Sequence, residues 1–387
     1  MIVKLAIRNL FHDRVSLIVT LVGIVFAVVL VAIQLGLYLG SQQMILAMIS
    51  HTNADIWVVS TKTKSFDDPA ILPTREKHTV LSVAGVAGAA ELVVGFAEWQ
   101  KPGGGALPIV LVGANHEDGG LAPWNVIEGS AGELSLPGGI AVDKTYFADL
   151  DVTGIGDDVQ IGGQRARVVA VTRGIRSFTT LPYVFATLDQ ARTYLGVSSS
   201  DSTFIAIRLQ PGVDRGAVER ALTAKLNGSV TSGVERFHSR VEVISTQHFG
   251  ALSIARWLYG TGAGAALIAG AALGLIVGTV IVAQTLYATI KDHLNEFGTL
   301  RALGASSSYL HRVILVQAVV SAVLGFVLGM LLALVIVQAS RNSNLIILIT
   351  PLLAAQIFGL TLAMCVISAL SAIFKVTRID PAMVFSR

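Results

Sequence analysis

The residues able to do chemistry are few and scattered. The 387 residues include one cysteine and eight histidines. Cys365 lies in an apolar run, so it offers no reactive nucleophile and closes no disulfide within the chain. His51, His78, His116, His238 and His248 fall at separations that match no metal-ligand spacing. His116-Glu117-Asp118 lines up three ionisable side chains, but beside Gly119-Gly120 it reads as a loop. No G-x-S-x-G elbow occurs. No G-x-x-x-x-G-K-[ST] phosphate loop occurs either, and Gly298 to Gly304 has neither its spacing nor its lysine. The expectation is a chain without catalytic, cofactor-binding or metal-ligating residues of its own, and so not an enzyme.

What must position any functional residue is a membrane. Only 14% of residues are charged, against about 25% in a soluble domain, and mean hydropathy is +0.69. A span needs about 20 apolar residues with few charges. Four runs qualify: 15–39, 257–290, 313–340 and 345–374, the second becoming apolar at about Leu258. The first is too long for a signal peptide and shows no small-residue cleavage site after it, so it reads as retained. None of the four runs contains Asp, Glu, Lys, Arg or His. Their polar residues include Gln34, Gln284, Gln317, Gln338 and Gln356. Ion-coupled carriers need ionisable groups at membrane depth and often show inverted repeats, so neither feature supports a secondary transporter. Gly270, Gly274 and Gly278 recur every four residues, as do Gly325 and Gly329, which places small residues on one helix face for close packing or dimerisation.

Basic residues flank these runs unevenly. Lys4, Arg8 and Arg14 precede the first, Lys291, Arg301 and Arg312 fill the loop after the second, and Lys375, Arg378 and Arg387 follow the fourth. The turn at 341–344 holds only Arg341. The positive-inside rule then puts both termini, the 291–312 loop and the 375–387 tail in the cytoplasm, and residues 40–256 outside. That block carries 18 of the 28 basic and 21 of the 25 acidic residues, so it is net acidic. The sequence pI of about 9.0 therefore reflects the membrane edges and not a nucleic-acid-binding face. Residues 1–14, with Ile2, Leu5, Leu10 and Phe11 opposed to Lys4 and Arg8, leave two readings open: an amphipathic helix in the inner interface, or the cytoplasmic start of the first span.

Residues 40–256 show strand and turn signals. The β-rich runs include Asp55–Ser60, Val93–Trp99, Pro108–Val112, Val159–Ile161, Arg167–Thr172 and Phe204–Leu209. Lys101-Pro-Gly-Gly-Gly105 and Gly162-Gly163 read as hairpin turns. Leu188–Leu195, with Thr187 as N-cap, and Asp214–Leu226, with Val218, Leu222 and Leu226 on one face, read as helices. The expected class is an α-helical membrane protein with four transmembrane helices plus a large external α+β domain, divided or not into two lobes. The domain reads as a binding and docking module.

The loop after the second run continues the helical pattern through Leu294, Phe297, Leu300, Arg301 and Leu303, and Gly304 ends it. Ser306 would cap a second short helix, Ser307–Arg312. A helix from Leu258 to Leu303 would be roughly 65–70 Å long, far more than the membrane, and would project as a lever.

Glu296-Phe-Gly-Thr-Leu-Arg301-Ala-Leu-Gly-Ala305 resembles the E-x-G-x-x-[RK]-A-[LIM]-G-[AY] signature of MacB/FtsX-type ABC transporter permeases. The layout of one span, a large external block and three further spans agrees. Within that family the chain is most similar to the DevC branch, through Ala54-Asp-Ile-Trp-Val-Val-Ser60, Gly95-Phe-Ala-Glu-Trp-Gln-Lys101, Val280-Ile-Val-Ala-Gln-Thr-Leu-Tyr287 and Asp292-His-Leu-Asn-Glu-Phe-Gly-Thr-Leu300. Arg378-Ile-Asp-Pro-Ala382 resembles a terminal motif of the family.

The resemblance implies an inner-membrane homodimer that binds a separate cytoplasmic ABC ATPase, with ATP-Mg held on that partner. It implies that a coupling helix, about Ala305–Arg312, docks on the ATPase and that motion passes to the external domain by mechanotransmission. Glu296, Arg301, Gly304, Ser306, Ser307, Tyr309, His311 and Arg312 become the coupling residues, with Glu296 and Arg301 pairing with each other or with the partner. A periplasmic membrane-fusion adaptor, an outer-membrane channel and membrane lipid are the further partners implied, and efflux is the process. Two alternatives stay open: a lipoprotein-releasing permease, and an FtsX-like relay to cell-wall hydrolases. The 217 residues from 40 to 256 are many for the second.

Overall fold

A computed structural model describes residues 6, 8, 10–115, 120–228, 241–292 and 307–377. Two compact units emerge. One comprises 1–40, 264–341 and 346–387; the other comprises 41–263 with 342–345.

Helix α1 (Arg14–His51) begins where Asp13 caps it: the Ser16 and Leu17 amides donate to Asp13 Oδ1 and O, each at 3.1 Å. It continues past Leu39 without a break for twelve further residues. The second apolar helix, α7 (Ala263–Asp292), starts later than the sequence reading of Leu258. Residues Ala255–Tyr259 form a π-turn instead, Gly260 still has helical dihedrals, and Gly262 at φ +78° breaks the helix. The described part of α7 is 30 residues, roughly 45 Å. The lever's expected continuation to Leu303 lies outside the described residues. Helix α8 is Ser307–Ala339. Helix α9 (Pro351–Thr377) also starts later than expected from the run at 345–374. Pro351 keeps Thr350 out of helical geometry and suits the first helical position, while Thr350 Oγ1 accepts from the Leu353 amide at 3.1 Å. Residues 346–350 are therefore not helical, and Leu348 N donates to Gly36 O at 2.9 Å. Among the described residues, four helices are long and apolar enough to cross a membrane: Arg14–His51, Ala263–Lys291, His311–Ala339 and Pro351–Phe374.

The other unit is built on a ten-stranded sheet. In chain order its elements are β1 (Ile56–Ser60), β2 (Leu72–Pro73), α2 (Glu76–Leu81), β3 (Val86–Gln100), β4 (Ala106–Ala114), β5 (Val126–Gly129), β6 (Gly139–Asp143), α3 (Phe147–Leu150), β7 (Asp158–Ile161), β8 (Gln164–Thr172), β9 (Tyr183–Ala186), α4 (Leu188–Leu195), β10 (Asp201–Ser202), β11 (Phe204–Leu209), α5 (Arg215–Gly228), β12 (Val241–Ser245) and α6 (Thr246–Ile254). The order is β12-β1-β11-β3-β4-β9-β6-β8-β5, and β7 bridges β3 and β8. Strands β3, β4, β9, β6, β8 and β7 thus close a ring around a core that includes Trp99, Tyr146, Ile161 and Val184. On the open side, β12, β1 and β11 carry α2 and α5 through Val80, Val218 and Leu222. Both halves share the fifteen-residue β3, so they belong to one continuous sheet, with a separate hydrophobic cluster on each side.

Both expected hairpins are present. Gly104 (φ +98°) and Gly105 (φ +91°) turn β3 into β4, and Gly162 (φ +55°) and Gly163 (φ +78°) turn β7 into β8, conformations that favour glycine. Helix α4 matches its expected range, but the Thr187 side chain makes no capping bond, contrary to expectation. Helix α5 starts after Asp214, whose Oδ1 accepts from Gly216 N at 3.0 Å, and it buries Val218, Leu222 and Leu226.

Candidate coupling sites

Of the residues expected to dock an ATPase, Glu296, Arg301, Gly304 and Ser306 lie outside the described residues, as does the tail motif from Arg378. Ser307 opens α8 and Tyr309 lies in its first turn. His311 is half-buried and Arg312 is exposed. The Glu296–Arg301 pairing and the Ser306 cap are thus not described.

Within the helical unit, the spaced glycines face α1 of the same chain. A β-carbon at Gly270 would lie 2.7 Å from Gln34 Nε2, at Gly274 3.0 Å from Leu30 Cδ2, and at Gly278 2.5 Å from the Ala27 methyl. Gly325 and Gly329 of α8 meet Ile24 and Val28 of the same helix. Small residues here bring helices close enough for continuous dispersion contact. Ser16 and Thr289 share a hydrogen bond. Ser368 Oγ of α9 lies 2.9 Å from Thr279 O of α7. The glycine face of α7 is therefore occupied inside one copy.

In the sheet-containing unit, a collar holds the segment Ser253–Trp257, which precedes α7. Its first part is the loop 61–71 after β1. Phe66 is fully buried and stacks on Phe204 with centroids 5.3 Å apart, next to Trp57 and Phe249. The Phe66 amide donates to Ser253 Oγ at 3.3 Å, and Arg256 Nη2 reaches Asp68 Oδ2 at 3.3 Å. The second part is the crossover between β8 and β9, where Phe178 packs against Trp257 with centroids 6.1 Å apart. Buried polar groups fix that crossover. Asp143 accepts from Ile175 N at 2.8 Å and from Thr172 Oγ1 at 3.1 Å, and the Ser177 amide donates to the Tyr146 hydroxyl at 3.1 Å. Tyr183 joins the two parts: its hydroxyl donates to Asp67 Oδ1 at 2.6 Å. Burial pushes the Asp67 carboxyl up to about 6, while the Tyr183 bond pulls it down. Burial, with Asp67 beside it, likewise holds the Tyr183 phenol well above its ordinary value.

No motif in the sequence marks this collar. Its members come from separate stretches, and its aromatic side chains differ in burial, Phe66 being buried and Phe178 and Trp257 half-buried. The histidines occupy different elements: His51 ends α1, His78 lies in α2 and His248 in α6, while His116 and His238 fall outside the described residues. Among the described residues no group of three or more His, Cys, Asp or Glu could hold a metal ion.

The chain matches the MacB-like periplasmic core domain over residues 17–225 and the FtsX-like permease C-terminal model over residues 268–381. No curated protein matches it. Among solved structures it is similar to the extracellular domain of the noncanonic ABC-type transporter YknZ from Gram-positive bacteria, at 15% identity and TM-score 0.37, over 49% of this chain and 98% of that one. It is similar to the periplasmic region of MacB from Actinobacillus actinomycetemcomitans, at 11% identity and TM-score 0.39, over 54% of this chain and 96% of that one. A domain of a permease protein from Porphyromonas gingivalis shares 13% identity and TM-score 0.33, over 50% of this chain and 88% of that one. With the first model covering more than half of its length, the chain belongs to the family of MacB/FtsX-type ABC transporter permeases.

Proposed function

We propose that this chain is the permease subunit of an ABC exporter of the DevC type, and that it passes the motion of a separate cytoplasmic ATPase to its external domain. Permeases of this family work with ATPase partners. The observation that carries the reading is covalent continuity. The collared segment Ser253–Trp257 runs within six residues into α7, and α7 leads through Asp292 into the Glu296–Ala305 signature. Helix α7 is extended along one axis, and only the turn at 260–262 separates it from the collared segment, so a push along the helix is delivered beside that segment without needing a substrate path through the bilayer core. The charge-free apolar runs suit that mechanism.

In this reading the chain is an inner-membrane homodimer with both termini cytoplasmic, and ATP-Mg sits on the ATPase. A periplasmic membrane-fusion adaptor engages the external domain, and an outer-membrane channel continues the path. Residues Ser306–His311 carry the ATPase contact. Replacing them with a neutral linker abolishes co-purification of the ATPase while membrane insertion is retained. Undiminished co-purification would sink the assignment.

A further inference from the structure

We propose that Asp67 is a proton-operated latch, which sets how tightly the collar holds the segment leading into α7. The latch goes beyond the transport reading, and only its effect on coupling rests on that reading.

The geometry is that of a buried acid with one uncharged donor. Asp67 is 3% exposed, and its Oδ1 accepts from Tyr183 of β9, itself fully enclosed. The ionisable groups around it are placed unevenly. On its own loop, Asp68 points outward between Lys64 (3.7 Å) and Arg256 of the collared segment (3.3 Å). Beyond Tyr183 lie Tyr146 and, further on, Asp143 and Arg176 of the β6 and crossover side. Lys64 and Arg256 are directed to Asp68, Arg176 acts on Tyr146, and Asp67 has the Tyr183 hydroxyl.

A carboxylate in such a place costs more than a neutral carboxyl, because it loses its hydration and gains one neutral hydrogen bond. The carboxyl titrates at about 6, within the range an external compartment can reach. When protonated, Asp67 stays in its slot and Phe66 and Asp68 keep their bonds to Ser253 and Arg256. When ionised, it draws water in or moves out. The loop 61–71 can only follow by loosening the two anchors beside it. The collar is thus tight at low external pH and looser at neutral pH.

Hydrogen exchange on the full chain in lipid nanodiscs, without ATPase, tests this. After correction for intrinsic exchange, amides of 63–70 and 253–258 should exchange several-fold faster at pH 7.5 than at pH 5, with a midpoint near 6. Asp67→Asn should remove that dependence. Tyr183→Phe should keep it but move the midpoint upward, because the lost bond had favoured the ionised acid. If Asp67→Asn does not fold, the direction of the Tyr183→Phe shift decides. A pH-independent wild type, an unchanged dependence in Asp67→Asn, or a midpoint in Tyr183→Phe that stays or falls would overturn the latch. No outcome depends on the ATPase, so failure of the latch and failure of the transport reading are distinguishable.

Discussion

His51 and Trp124 stack face to face, with ring centroids 3.8 Å apart and planes 6° from parallel. His51 is the last residue of α1, and Trp124 packs edge-on to Phe185 of β9 at 6.0 Å. The end of the first long helix is thereby clasped to the sheet. His51 Nδ1 lies 2.8 Å from Ala47 O, which fixes the ring against its own helix.

That stack makes a measurable prediction. Aromatic pairs contribute about 0.5–1.5 kcal/mol beyond their burial. A double-mutant cycle with His51→Ala and Trp124→Ala should show a coupling of about that size in denaturant unfolding of the purified chain. Purely additive single effects would show that the contact stabilises nothing.

A second prediction concerns Arg192. Its Nη2 lies 2.8 Å from Glu91 Oε2, with side chains 11% and 8% exposed, and it also donates to Asp201 O and Thr74 Oγ1. The guanidinium therefore ties α4 to β3, to β10 and to the turn before α2. Removing the guanidinium leaves Glu91 its contact with Lys77 Nζ at 3.7 Å but takes a charge-assisted bond from a buried carboxylate, at about 1.5–3 kcal/mol. Arg192→Ala should lower stability by that order. Arg167→Ala, which breaks the solvent-exposed pair with Asp158, should be nearly silent, although its hydrogen bonds hold the Asp158 carboxyl below its ordinary value. Comparable destabilisation by both would contradict the role of burial here.

The third prediction is a pH profile. Folding raises the Asp67 carboxyl from its ordinary 3.8 to about 6. The folded state then binds the proton more tightly than the unfolded one. Stability contributed by this group is highest below about 4 and falls as pH rises through about 6. The difference is about 3 kcal/mol, at 1.36 kcal/mol per pH unit of separation. Relative to Asp67→Asn, the wild type should lose thermal stability as pH rises from about 4 through about 6. A wild-type curve parallel to that of the variant would refute the assignment.

Much of this fold is legible in the residues, and the exceptions have physical causes. Gly104-Gly105 and Gly162-Gly163 announced their hairpins, because positive φ leaves few alternatives to glycine. Burial removes alternation from Gly139–Asp143 and Tyr183–Ala186, where β6 and β9 went unseen, and equally from β1, which its Ile-Trp-Val-Val run still revealed. A strand covered on both faces shows no alternation, and both unseen strands lie in a parallel pair, β6 with β8 and β9 with β4. The late starts of α7 and α9 were missed for another reason. Hydropathy does not register Gly262 or the constraint of Pro351 on Thr350, so an apolar run overstates its helix. The collar was hidden because Asp67, Tyr183 and Ser253 are far apart in sequence and unremarkable alone. The coupling signature was the opposite case, readable as a motif but outside the described residues.

The glycines of the helical unit give the last prediction. A methyl at Gly278 would lie 2.5 Å from the Ala27 methyl and 2.8 Å from Met364 Sδ. Neither α1 nor α9 can yield there without moving, since Ala27 and Met364 are both buried. Overpacking of this kind costs about 1–3 kcal/mol, so Gly278→Ala should lower the thermal stability of the detergent-solubilised chain. Gly359 in α9 meets nothing within 4 Å. There the same methyl has no partner to strike, and the helix gains about 0.5–1 kcal/mol from the reduced backbone freedom of alanine. Gly359→Ala should therefore be neutral or stabilising. The pair separates tight packing from generic helix propensity, because propensity alone would make both substitutions favourable. A stabilised Gly278→Ala would mean that the α7 glycines are not held against α1.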